Sequence, residues 1–227
     1  LALAMLGALA GCAESKPPEA ANRPASVALT AQQSTALGKE AAKYRARHPR
    51  QSGFSLVTTG RDAYLDLTAL VALAQKTLDL QYYIWRADGT GREMLAAMVD
   101  AAERGVRVRL LLDDMDLAWK DHELERLSAL PNVEVRIFNP FSSRDVGLVD
   151  LLFDYDRINH RMHNKVFIAD NSIALLGGRN VGDQYFSVDE AGNYRDLDLY
   201  TIGPIVGEIS RSFDDFWNSA WSAMPPR

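Results

Sequence analysis

The chain is short of cysteine, of long apolar runs and of excess positive charge, and each shortage closes off a class. A single cysteine, Cys12, in 227 residues excludes a disulfide framework and any zinc site built on paired cysteines. No stretch approaches the roughly 20 consecutive apolar residues of a membrane-spanning helix. Twenty-five Lys and Arg stand against thirty Asp and Glu, a net charge of −5. The molecule as a whole is therefore not built to coat nucleic acid, although a local basic pocket is compatible with that balance. What is present is ordinary: 47% hydrophobic and 24% charged residues, 15 Gly and 9 Pro. That is a globular chain long enough to bury a core.

Residues 1–12, LALAMLGALAGC, are apolar and give way abruptly to AESKPPEAANRPAS. A run this short fits a signal-peptide segment better than a membrane span. Its end, Leu9-Ala10-Gly11-Cys12, resembles the lipobox of bacterial lipoproteins. The resemblance implies cleavage before Cys12 and a lipidated cysteine that anchors the chain in the bacterial envelope, facing the periplasm. Ala13 after the cysteine favours the outer membrane, by resemblance to enteric lipoproteins. The competing reading is a frayed apolar terminus with an incidental cysteine. The chain opens on Leu without a basic stretch ahead of the apolar run, so residues 1–11 read as a signal peptide truncated at its start. Residues 12–31, rich in Pro and Ala and without periodicity, read as a tether. Residues 32–227 read as one domain.

Within that domain two periods alternate. Helical spacing covers 32–47, 61–76 (apolar stripe Leu65, Leu70, Leu73), 89–105 with Gly105 at its end, and 121–129. Strand patterns cover 78–85, 106–114 and 132–138. Past residue 140 a loop-rich stretch leads to two strands joined at Asp170-Asn171, a strand at 196–202 and a helix at 204–219 opened by Pro204. Strands separated by helices imply crossovers. The expected fold is α/β, a mixed, mostly parallel sheet flanked by helices on both faces.

One window carries chemistry: His163 and Lys165, then Asp170, then Gly177-Gly178-Arg179-Asn180. Residues two apart on an extended segment face the same side. An imidazole beside an ammonium is not how a core is built. Two glycines closing a strand leave room for a ligand near the backbone, and Asn180 adds an amide donor. A neutral histidine, a lysine and an amide converging on one space suit a tetrahedral oxyanion such as phosphate. Each residue alone has a plain structural explanation; the joint spacing is what argues for a site. Asp113, Asp114 and Asp116 lack the glycine and terminal glutamate of a calcium loop and read as a strand end. No metal and no cofactor is expected. Gln81, Tyr82 and Tyr83 read either as the lining of a lipid cleft or as core.

His-x-Lys, four residues, Asp, six residues, Gly-Gly, one residue, Asn resembles the HKD motif of the phospholipase D superfamily at every position. Around it, RMHNK, GGRNVGDQYF, LDLQYYIW, RGVRVRLLLDD and VEVRIFNPF are similar to the N-terminal half of the bacterial cardiolipin synthase branch, over roughly residues 60–220. The resemblance implies a phospholipase D-like αβα sandwich. It makes His163 the nucleophile on phosphorus, through a phosphohistidine, or its partner acid. Lys165 and Asn180 would hold non-bridging phosphate oxygens, and Asp170, with the glycines, would be structural. The family also needs a carboxylate on the far nitrogen of the histidine. Asp196 fits that place, with Asp198 two along the strand as the alternative. Arg179 and Arg161 are further candidates for phosphate contact.

The branch carries two such motifs and this sequence one: His48, His122 and His160 have Arg50, Leu124 and Met162 two residues on. Three readings follow. The second half lies in a missing part of a longer chain, or a second copy supplies it across a two-fold axis, or the half is inactive. The implied substrate is a phospholipid, with an alcohol or water as acceptor. A nuclease and a non-catalytic envelope lipoprotein are the competing functions; the acidic balance makes nucleic acid an improbable partner.

Overall fold

The computed structural model describes residues 23–30, 33–116, 121–141, 159–189 and 192–225. Its elements are α1 (Ala36–Arg47), β1 (Gly53–Val57), α2 (Gly60–Leu73), β2 (Thr77–Tyr82), α3 (Gly89–Glu103) and β3 (Arg107–Asp113). A 3-10 turn (Asp114–Asp116), α4 (Asp121–Ser128) and β4 (Val133–Phe138) follow. The last are β5 (Val166–Ala169), β6 (Ile173–Gly177), β7 (Asp198–Ile202), α5 (Ile205–Asn218) and β8 (Ser222–Ala223). Thr35, Thr59 and Asp88 cap α1, α2 and α3 by accepting from the N–H groups of Gly38, Asp62 and Gly91. Gly105, at φ 89°, ends α3 in the left-handed conformation that glycine adopts without strain.

The strands form one eight-stranded sheet in the order β1-β7-β6-β5-β2-β3-β4-β8. It is mixed, as expected, but the expectation of a mostly parallel sheet needs correction. Only β2–β3 and β3–β4 are parallel neighbours; the remaining pairings are antiparallel. The physical reason is the connections. Helical crossovers α3 and α4 return the chain for parallel pairing, whereas β5 and β6 are joined by a tight turn that reverses it. In that turn Asp170 and Asn171 take φ of 51° and 46°. The buried Asp170 carboxylate accepts the backbone N–H groups of Gln75, Lys76 and Thr77 at 2.7–3.1 Å, tying the turn to the start of β2.

One face of the sheet, under α2, α3 and α4, is apolar: Leu78, Leu80, Val108, Leu110, Val135, Phe167 and Leu175 belong to its core. The buried stripe of α2 is Ala63, Leu67, Leu70 and Val71. Leu65 and Leu73, read from the sequence as part of that stripe, are 52% and 48% exposed, on the far side of the helix. The other face lies under α5, where Val206, Phe213 and Trp217 pack on Leu111, Val166 and Ile168.

That second face corrects the tether. Residues 23–30 do not hang free; they form a strap along α5. Ser26 accepts from the Trp217 indole at 2.9 Å and exchanges bonds with the Asn218 carboxamide. Ala28 N–H donates to Asp214 at 2.8 Å. The carbonyls of Pro24, Ser26 and Val27 accept from Arg136, Arg109 and Arg107. Buried guanidinium groups need acceptors, and an extended backbone without apolar periodicity supplies them.

Candidate active site

The sheet sets the site at one edge. Tyr83 follows the end of β2, Asp113 ends β3, His163 and Lys165 precede β5, Gly177 ends β6, and Asp196 precedes β7. Because β5 and β7 run against β2, β3 and β6, these ends share one edge, the carboxyl edge of the parallel strands, where α/β sheets gather ligands.

The approach to His163 is held from below. Asp113, buried at the end of β3, accepts Met162 N–H at 2.8 Å and pairs with Arg161 at 3.1 Å. Burial raises its pKa, against the opposing pull of Arg161. Asn139 donates to the His160 carbonyl at 2.8 Å, and the His160 ring stacks on Trp221 with centroids 4.7 Å apart.

His163 itself is exposed, its ring 4.8 Å from that of Tyr83. Lys165 is buried, 5% exposed. Its Nζ donates to the His163 carbonyl at 2.6 Å and lies 5.2 Å from the Tyr83 ring centre. Burial lowers the Lys165 pKa to about 8, with Asp196 and Asp113 pulling the other way. The His163 pKa is also lowered, by burial first and then by the Lys165 charge. The pair is thus an imidazole biased to its neutral form beside an ammonium whose proton is loosened.

Asn180 is fixed by both ends of its carboxamide: Oδ1 accepts Ile84 N–H and Nδ2 donates to the Tyr185 hydroxyl, each at 3.0 Å. One of its two amide protons is thereby used. The glycines are there for close approach. A side chain at Gly177 would strike Asp198, and one at Gly178 would meet the Asp196 carboxylate at 2.6 Å.

The family resemblance implies Asp196, or else Asp198, on the far nitrogen of His163, and the structure differs. Among the described residues no hydrogen bond or ion pair joins the two. The Asp196 carboxylate stands over Gly178, where its charge acts on Lys165. Asp198, the alternative, is committed to Arg179 through an ion pair of 2.8 Å and through Arg179 N–H at 3.2 Å. Arg179 also donates to the carbonyls of Val57 and Thr58. It braces the sheet edge, so contact with phosphate is not open to it in this arrangement. Arg161 is likewise engaged, by Asp113 and by the Asn139 carbonyl at 2.8 Å. Sequence reasoning left Tyr83 open between cleft lining and core, and missed Asp113 as part of the site. The signal for Asp113 was a carboxylate closing the apolar run Leu110-Leu111-Leu112. Cys12 lies outside the described residues. Among the described residues no cluster of His, Cys, Asp or Glu is placed to hold a metal, and no helix is long and apolar enough to cross a membrane.

The family profile described as cardiolipin synthase, PLD-like domain, matches residues 67–217. The chain belongs to this phospholipase D-like family. The segment that builds the candidate site, from Tyr83 to Asp196, falls wholly inside the match. Cardiolipin synthase C of Escherichia coli (strain K12) is 44% identical over 171 residues, 75% of this chain and 36% of its own length. The chain thus spans about a third of the curated relatives it matches. Among solved structures, NucT from Helicobacter pylori superposes with a TM-score of 0.55 at 18% identity, over 77% of this chain and 99% of its own. Phosphatidylserine synthase of Haemophilus influenzae Rd KW20 does so at 0.59 and 15%, over 83% and 44%. These two likenesses show a shared α/β fold.

Proposed function

We propose that this chain carries one half of a phosphodiester-transfer site acting on phospholipids, with His163 the group that attacks phosphorus. The observation that supports it most is the coupling of His163 to Lys165. One lysine binds the carbonyl of the histidine two residues before it, and both lie against Tyr83. The lowered pKa leaves the imidazole a free lone pair near neutral pH. A phosphodiester at that ring would place its non-bridging oxygens toward Lys165 and the remaining amide proton of Asn180, which offset the charge that develops. The leaving alkoxide departs, a phosphohistidine remains, and an alcohol or water then displaces the ring. Asp196 acts here through Lys165, by keeping its ammonium protonated.

The leaving oxygen needs a proton that no second motif of this chain supplies. A second His-x-Lys half is the source, from the rest of a longer protein or from a second copy across a two-fold axis. Cardiolipin synthase C, nearly three times the matched length, favours the former. A lipidated Cys12 would keep the site at its substrate, and Cys12→Ser should then move the protein to the soluble fraction; unchanged membrane retention removes that anchor.

The test offers phosphatidylglycerol vesicles and single-stranded DNA to the protein, alone and joined to a second half, with His163→Ala as control. Turnover on the vesicles that His163→Ala abolishes, with an acid-labile phosphoprotein trapped on the way, supports the reading. Turnover on DNA alone overturns it in favour of a nuclease.

A further inference from the structure

Between α3 and α4 runs an apolar cleft of about 350 Å³ that the phosphate chemistry does not use. Trp85, Leu95, Leu112, Leu124 and Leu127 line it, and Arg92 and Arg126 stand exposed at its rim. We propose that this cleft takes one acyl chain of the lipid whose phosphate is held at His163. The proposal rests on the phospholipid reading above and adds to it the place of the hydrocarbon.

Three observations single out a hydrocarbon tail as the occupant. First, the cleft starts at the catalytic edge. Trp85 lies two residues beyond Tyr83, whose ring faces His163, and next to Ile84, whose N–H is held by Asn180. Trp85 is itself pinned, by its bridge to Val181 and by its indole donating to the Gly91 carbonyl at 3.1 Å. Second, both walls descend from that edge. α3 and α4 each begin after a strand that ends there, so a chain entering beside Trp85 is led away from the phosphate along two helices. Third, the walls are apolar, and the charged residues that line the cleft, Arg92, Glu123 and Arg126, are exposed. Guanidinium stems at a rim cover apolar surface while their heads stay in water. A tail inside and an ester or headgroup outside match that division.

The readout is Trp85, which is 2% exposed and so cannot be reached by a lipid that only adsorbs to the surface. Phosphatidylglycerol brominated mid-chain, presented in vesicles to the purified protein, should quench the emission that Trp85→Phe removes. Dibutyroyl phosphatidylglycerol should not compete, since each buried methylene is worth about a threefold to fourfold change in affinity. Ala96→Phe, which fills the cleft from an exposed position of α3, should weaken the quenching at least tenfold. Equal quenching in Trp85→Phe, or an unchanged concentration dependence in Ala96→Phe, overturns the cleft. So does a change of association state on Ala96→Phe with no lipid response, which would mark a protein occupant. The two readings fail separately. Quenching without any His163-dependent turnover, even when a second half is joined, counts against the phosphodiester chemistry alone. Equal kcat/KM on short-chain and long-chain lipid, without quenching, counts against the cleft alone.

Discussion

The two faces of the sheet solve burial in opposite ways. Under α2, α3 and α4 the strands present Leu78, Leu80, Val108, Leu110, Val135 and Ile137, and packing needs only shape and area. Under α5 the same strands present Asp79, Arg109 and Arg136. Arg109 pairs with Asp79 at 2.6 Å and with Asp214 at 2.8 Å. It lies over the Phe213 ring, while Arg136 lies 4.3 Å from the Trp217 ring centre. A charged face can be buried when its guanidinium groups meet carboxylates, carbonyls or aromatic faces. The strap of residues 23–30 completes that set.

The sharpest way to break the contrast is to remove one charge from the second face. Arg109→Met should cost about 3 kcal/mol in denaturant unfolding, because buried Asp79 and half-buried Asp214 lose the cation that pairs with both. Leu110→Ala, its neighbour on the apolar face, should cost about 3 kcal/mol through a cavity alone. Replacing Asp79, Arg109 and Asp214 together with apolar residues should recover most of the Arg109 loss. Failure to recover would mean that the ion cluster does more than balance itself.

A smaller effect of opposite sign is expected at Lys165, on the apolar side. Its folded pKa of about 8 lies below its ordinary 10.5, so folding disfavours its charged form. That penalty is full below pH 8, fades between 8 and 10.5, and is gone above. Lys165→Met should therefore stabilise the protein by about 1–2 kcal/mol at pH 7, bounded by 1.36 kcal/mol per pKa unit, while abolishing turnover. A thermal melt at pH 7 and at pH 11 checks both the gain and its disappearance.

On the strap, Ser26→Ala removes the acceptor of the Trp217 indole and should cost about 1 kcal/mol, read by the same unfolding curves. The smallest shift is in the pH profile. Turnover should fall as pH rises through about 8, where Lys165 loses its proton. Asp196→Asn, by withdrawing a charge that favours the ammonium, should move that limb to lower pH. A limb that stays in place would remove Lys165 as its origin.

These faces also mark what could be read from the chain itself. The alternation in Val133-Glu134-Val135-Arg136-Ile137-Phe138 announces a strand with one apolar face, and the spacing of His163, Lys165, Gly177, Gly178 and Asn180 announces a phosphate site. Neither pattern says that Arg136 is covered, because its acceptors come from residues more than 80 and 110 positions away. The same holds for Asp113, whose partners Arg161 and Met162 are 48 and 49 residues on. Local periodicity reports which face is apolar; it is silent about what a distant segment brings to the other. The Asp170-Asn171 turn announces that β5 and β6 run opposite ways; that β5 lies antiparallel against β2 was hidden, since it depends on how distant segments meet.

The strand order has a consequence for the order of assembly. β2, β3 and β4 are neighbours in sequence and in space, whereas β1 touches the sheet only through β7. Contacts that close long loops form late. As the chain leaves a ribosome, Gly53–Val57 therefore waits, its ladder N–H and C=O groups unpaired and Val57 uncovered, until Asp198–Ile202 has been made and inserted against β6. Until then an unpaired strand is open to pairing with another chain.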